Sequence, residues 1–213
     1  MADQSIYRSV SVKEKVKSGT GRMTVRLMTG IAMLSAVSFL LSFLEFPVPL
    51  SPSFARMDLS DLPALVGAFI YGPLAGLLIE LVKNLLGLFS TSTAGVGELA
   101  NFLMGGSFVA VAGLIYRKHR TKKGALAACL IASLVMGIVA VLANYFILLP
   151  LFEKFLPLDQ LIASFAELMP FIRTKLDIVV LNAFPFNLLK GLVISAFAML
   201  IYKSVSAISI RER

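Results

Sequence analysis

The chain has 213 residues, 58% of them apolar and 15% charged, with a mean hydropathy of +0.87, values that exclude an ordinary soluble domain and indicate an integral membrane protein. Spans of about 20 apolar residues use nearly all of that length, so no sizeable soluble domain is expected. The net charge of +8 does not point to nucleic acid, because the basic residues fall in short clusters beside apolar stretches and not on an amphipathic face.

Along the chain, the first 23 residues are polar and basic and lack a short apolar region followed by a small-residue cleavage site, so no secretory signal peptide is expected. Apolar stretches between breakers predict six helices, near 25–45, 61–71, 73–89, 98–116, 124–149 and 178–203. Tyr71-Gly72-Pro73 leaves almost no loop between the second and third, which reads as a tight helical hairpin. Basic residues cluster in the N-terminal segment (Arg8, Lys13, Lys15, Lys17, Arg22, Arg26), in the loop from 116 to 124 (Arg117, Lys118, Arg120, Lys122, Lys123) and at the C-terminus (Lys203, Arg211, Arg213). The positive-inside rule then puts all three in the cytoplasm, which requires an even number of spans on each side of the middle loop. The expected fold is an all-α six-transmembrane-helix bundle with cytoplasmic N- and C-termini: a basic segment 1–24, a membrane domain 25–203 and a tail 204–213.

Candidate functional residues come in the same order. Ala32 and Ala36, four apart in the first span, allow close approach of another helix, either within the chain or from a partner protein. The proline-rich stretch 45–61 is stiff and apolar, with Phe54, Ala55 and Met57 in its second half, and is expected to fold over the bundle as a lid. Glu80 and Lys83 sit three apart, a spacing at which they can pair with each other. Glu98 and Asn101 open the fourth span after a glycine-rich loop, where Glu98 suits the helix dipole and either residue could touch a ligand. Cys129 reads as a buried small hydrophobe, and His119, in a basic loop, as a solvated residue.

The stretch NAFPFNLLKGLVISAF, 182–197, places Asn187 and Lys190 on one helical face near mid-membrane. Asn144, in the outer third of the fifth span, can meet the same space. A lysine at that depth costs about 2.5 to 3.5 kcal/mol unless it finds a partner or a wet cavity. Asn144, Asn187 and Lys190 are therefore expected to converge on an outward-opening pocket, or else to bond one another across helices. Two amides and one ammonium suit a mostly neutral guest with donor and acceptor edges. No phosphate loop, no metal-binding cysteine or histidine motif and no obvious pair of converging carboxylates is present, which favours a binder over a catalyst.

Several of these stretches, namely DLPALVGAFIYGPLAGLLIELVKNLL from 61 to 86, GVGELANF from 95 to 102, NLLKG from 187 to 191 and the alanine pattern of the first span, resemble the substrate-binding S-components of energy-coupling factor (ECF) transporters, in particular the riboflavin-specific members. The resemblance covers about residues 25–203. It implies a bacterial cell-membrane protein with no cofactor that takes riboflavin at its outer face. The implied partners are a membrane coupling subunit (EcfT-like) and two cytoplasmic ATPases. It also implies that Asn144, Asn187 and Lys190 meet the flavin, that Phe54, Ala55 and Met57 belong to a closing loop, and that Ala32 and Ala36 face the coupling subunit. The alternatives are an S-component for another vitamin such as biotin or pantothenate, a membrane enzyme acting on a lipid or quinone through Lys190 or Glu80, and a purely structural subunit. The stretch 150–177 matches no motif of the family and is expected as a long loop.

Overall fold

In a computed structural model of the chain, residues 24–47, 56–91, 93–155, 157–167 and 169–211 are described. Helix α1 (Val25–Ser42) starts at Thr24, whose hydroxyl accepts from the Leu27 amide. A short antiparallel pair comes next, β1 (Phe46–Pro47) with β2 (Arg56–Met57), Phe46 lying opposite Met57. Helices α2 (Asp61–Tyr71) and α3 (Pro73–Gly87) are joined by Gly72 alone. Gly72 has φ +106°, a conformation that residues with a Cβ rarely adopt, and Pro73 then opens α3 where a missing N–H costs nothing. The tight hairpin expected at this point is therefore present.

Helix α4 (Val96–Lys118) carries Glu98 in its first turn and Arg117 and Lys118 in its last, both signs matching the helix dipole. Helix α5 (Lys122–Ala143) is capped by Thr121 and widens into a π segment, Asn144–Leu148, before the short α6 (Leu149–Phe152). The region 150–177 is not only loop: α7 (Leu158–Ala166) buries Leu161 and Phe165 against the bundle. A capping box between Thr174 and Asp177 starts α8 (Lys175–Asp177), which runs through a second π segment, Ile178–Ala183, into α9 (Phe184–Arg211). Each π segment ends two residues before a proline, Pro150 or Pro185. A proline ring collides with the carbonyl four residues back, and a wider turn there relieves the clash. The final helix continues past 203, the end that hydropathy predicts.

Among the described residues, Val25–Ser42, Pro73–Ser90, Val96–Lys118, Lys122–Phe152 and Lys175–Ser206 are long and apolar enough to cross a membrane, and Asp61–Tyr71 is a shorter apolar helix. At 1.5 Å per residue α2 extends about 16 Å, roughly half of a bilayer core. Large apolar side chains such as Leu40, Leu114, Leu142 and Leu200 point outward, as lipid-facing groups do. The chain is an integral membrane protein, and among the described residues its regular structure is helical apart from the two-residue strands.

Small residues hold the interior together. Ala125, Ala128, Cys129 and Ala132 of α5 are fully buried, and Gly191 of α9 sits against Ser133, so α4, α5 and α9 pack closely. The Tyr116 and Tyr202 hydroxyls meet at 3.2 Å, and the Phe69 and Tyr116 rings lie 4.4 Å apart. The ends of α2, α4 and α9 therefore share one end of the bundle with the basic loop 117–123, while the strand pair, the start of α4 and both π segments lie at the other. Glu98 and Arg117 are about 28 Å apart along α4.

Gly76 of α3 has the Ala68 Cβ and the Ala64 carbonyl at the place its own Cβ would fill, 2.7 and 3.0 Å away. A Gly76→Val substitution must push α3 off α2 and is expected to cost about 1–3 kcal/mol, read as a lower unfolding temperature in detergent.

Candidate functional site

At the end away from the basic loop lies a cavity of about 570 Å³. Its polar wall carries Asn101 and Glu98 from the first turns of α4, Asn144 and Asn182 from the two π segments, Asn187 from α9, and Glu45 and Asp58 at the feet of the strand pair. Its apolar wall is made by Met104, Leu149, Phe152, Ile178, Phe186 and, from α7, Leu161 and Phe165. The π segments account for this convergence, because an extra residue in the turn rotates the remainder of the helix and brings Asn182 and Asn187, five apart, onto one wall. The amide of Asn144 donates to the Ala140 carbonyl at 2.8 Å, and that of Asn187 to the Ala183 carbonyl at 2.9 Å. Each spends one N–H on its own helix and keeps a second donor and an acceptor for a guest.

Behind the polar wall is a buried cluster of charges. Lys83 of α3 meets Asp61 Oδ1 at 2.6 Å and Glu80 Oε2 at 2.7 Å, and donates to Ser60 Oγ at 3.0 Å. Lys190 of α9 lies 3.2 Å from Asp61 Oδ2, 3.4 Å from Asp58 Oδ1 and 3.4 Å from the Asn101 side-chain carbonyl, to which it donates. Ser60 donates to Asp58 through its N–H and its hydroxyl, and its carbonyl accepts from Ser38 of α1. Asn84 donates to the Glu80 carboxylate at 3.3 Å, leaving Glu80 Oε1 without a hydrogen bond. All five ionisable residues are at most 4% exposed. Gly105 of α4 makes the room, since a Cβ there would stand 2.8 Å from Glu80 Oε2.

The expected residues fall into distinct places. Asn144, Asn187, Glu98 and Asn101 line the cavity. Lys190 does not, and its partners are acids and Asn101, not the amides of Asn144 and Asn187. Glu80 and Lys83 do pair at their three-residue spacing, but within a larger cluster. The absence of converging carboxylates is corrected, because Asp58, Asp61 and Glu80 meet around two lysines. Met57, in β2, is buried at 2% exposure and off the cavity wall, while Phe54 and Ala55 lie outside the described residues. Glu98 accepts from Thr91 at 2.8 Å, so it ties down the preceding loop while facing the cavity. Ala32 and Ala36 are exposed on α1, turned away from the face that buries Ile31, Ser35 and Ser38, so within-chain packing does not account for them.

Sequence reasoning missed Asp58, Asp61, Asn182 and the apolar pair on α7. The first two were legible as a charge mismatch: two intramembrane lysines face a single intramembrane glutamate, so further acids had to come from the edge of a loop.

The model of the family described as ECF transporter, substrate-specific component, matches residues 26–202. The chain belongs to this family. It is similar to the riboflavin transporter RibU of Staphylococcus aureus (strain TCH60), with 40% identity over 85% of this chain and 90% of that one. It is similar also to the riboflavin transporter FmnP of Bacillus subtilis (strain 168), with 34% identity over 84% of this chain and 92% of that one. A solved structure of the S component of a bacterial ECF transporter superposes with a TM-score of 0.70 at 37% identity, covering 85% of this chain and 96% of the other. The chain is thus a multi-pass transporter subunit and not an enzyme.

Removing one member of a buried charge network exposes the others to an uncompensated field. Asp61→Ala strips both lysines of their shared partner and is expected to cost about 3–5 kcal/mol, whereas Asn144→Ala, which breaks one bond within its own helix, should cost about 1 kcal/mol or less. Thermal unfolding of the two purified variants checks the difference.

Proposed function

We propose that the chain is the riboflavin-binding subunit of an ECF-type importer, taking riboflavin from the extracellular side into the cavity at the end opposite the basic loop. The observation that carries this reading is the split lining: asparagine amides on one wall and aromatic and aliphatic side chains on the other, in a member of a family whose curated relatives are riboflavin transporters. Riboflavin has the matching halves, a flat ring with an imide edge of one donor between acceptors, and a hydroxyl-rich tail.

The charge of the wall separates the candidates. Among the described lining residues there are three acids and neither lysine nor arginine, and Lys190 behind them is already matched to two aspartates. A carboxylate-bearing vitamin such as biotin or pantothenate would meet net repulsion, and a flavin phosphate more so. Asn144, Asn187, Asn101, Glu98 and Lys190 are the residues assigned to the guest, and the loop carrying Phe54, Ala55 and Met57 is assigned to closing over it.

The basic loop faces the cytoplasm in this reading, which puts both termini there and makes α1 to α5 and α9 six membrane helices, with α2 and α3 sharing the bilayer as a hairpin. The segment 1–24 and the tail 204–213 then lie on the cytoplasmic side of the domain 25–203. The exposed Ala32 and Ala36 offer a small-residue face to a membrane coupling subunit of the EcfT type, with two cytoplasmic ATPases supplying energy.

Titration of purified protein with riboflavin is expected to quench flavin fluorescence, and Lys190→Met or Asn187→Leu to weaken binding by about tenfold or more. A protein that ignores riboflavin overturns the reading. Ala32→Leu with Ala36→Leu should keep flavin binding but abolish uptake by cells that carry the partner subunits, measured with labelled riboflavin.

A further inference from the structure

The two buried lysines are held very differently. Lys83 makes the short contacts, to Asp61 Oδ1, Glu80 Oε2 and Ser60 Oγ at 2.6, 2.7 and 3.0 Å. Lys190 makes only long ones, at 3.2 Å or more, and Asp61 Oδ2 receives no hydrogen bond from it. Well-formed ammonium–carboxylate contacts run about 2.7 to 2.9 Å. The close contacts of Asp61 and Glu80 are spent on Lys83, which sits in neither wall of the cavity, while Lys190 lies behind the polar wall and reaches Asn101 on it.

We infer that Lys83 is a positioning residue for substrate binding: by occupying Asp61 and Glu80 as their fixed counter-charge, it leaves Lys190 loosely held and able to turn a donor toward a guest in the cavity. The inference rests on the reading that the cavity binds riboflavin. Without Lys83, Lys190 becomes the sole cation of the cluster, and the charges of Asp61 and Glu80, left without their close partner, draw it inward and away from the cavity. Glu80 acts with the opposite sign. Its Oε1, like Asp61 Oδ2, has no donor, and its charge adds to the inward pull on Lys190.

The test is riboflavin affinity measured by fluorescence quenching on the purified full chain, with thermal unfolding followed in parallel. Lys83→Met is expected to weaken binding about tenfold or more, although Lys83 touches no guest, and Glu80→Gln added to Lys83→Met is expected to restore most of it by removing the carboxylate charge left unpaired. Glu80→Gln alone is expected to tighten binding about two- to fivefold. A residue that matters only for folding would lower the unfolding temperature without this rescue. Lys83→Met binding like the parent, or a double variant as weak as Lys83→Met, overturns the inference. If Lys83→Met does not yield folded protein, Glu80→Gln decides, and unchanged or weaker binding overturns it. A parent chain that does not bind riboflavin fails earlier, on the reading of the cavity itself, and the variants are then not the reason.

Discussion

Two ammonium groups buried in an apolar bundle must be compensated where they stand, and the way Asp58, Asp61 and Glu80 do so organises the cavity-bearing half of this protein. Hydrocarbon supplies no water to an unpaired charge, so the acids have to come to the lysines. They arrive from three places: Asp58 from the foot of the strand pair, Asp61 from the first turn of α2 and Glu80 from α3. With Lys190 on α9, Asn101 on α4 and Ser38 on α1 reaching Ser60, the cluster touches five of the helices around it. The chain leaving the strand pair is thereby tied to the floor of the cavity.

The cavity above that floor is shaped by departures from ideal helix geometry. Straight α-helices through 144 and 182 would carry their asparagines on steadily drifting faces, whereas the π segments reset the phase at the level of the cavity. The wide turns lie next to Pro150 and Pro185, where the regular ladder is already broken, and on one side they border the cavity. Helix α7 closes the remaining side with Leu161 and Phe165, turning an open groove into a pocket with one wet wall and one dry one. The opposite end of the bundle is built otherwise, with alanines, glycines and an aromatic contact between Tyr116 and Tyr202 packing the helices tightly. A polar end with a cavity and a compact, basic end suit a subunit that captures a guest on one side and hands it on with other proteins.

Most of the architecture was legible in the chain itself. Uninterrupted apolar runs, Gly72-Pro73 and the clusters of lysine and arginine gave the helices, the hairpin and the two unlike ends, because burial in lipid penalises any polar backbone or side chain that breaks the pattern. Asn144 and Asn187 stood out for the same reason, as polar groups where the surroundings tolerate few. Glu80 and Lys83 were readable as a pair from their spacing, and Ala32 and Ala36 as a close-approach face.

The partnerships among the buried groups were not legible in this way. Hydropathy registers that Lys190 needs a partner but is silent on which acid reaches it, since Asp58 and Asp61 lie more than a hundred residues earlier and read, in line, as the polar edge of a loop. The order of the buried contacts, with Lys83 tightly bound and Lys190 loosely, depends on distances of a few tenths of an ångström set by how α2, α3, α4 and α9 pack. Helix α7 was hidden because nine residues, however amphipathic, have little helical stability of their own and become a helix only against the bundle. Composition thus determined that the chain lives in a membrane and keeps a few costly polar groups; tertiary packing alone decided that these groups form a charge-paired floor beneath a cavity, because compensation of charge is a property of neighbours in space and not of neighbours in sequence.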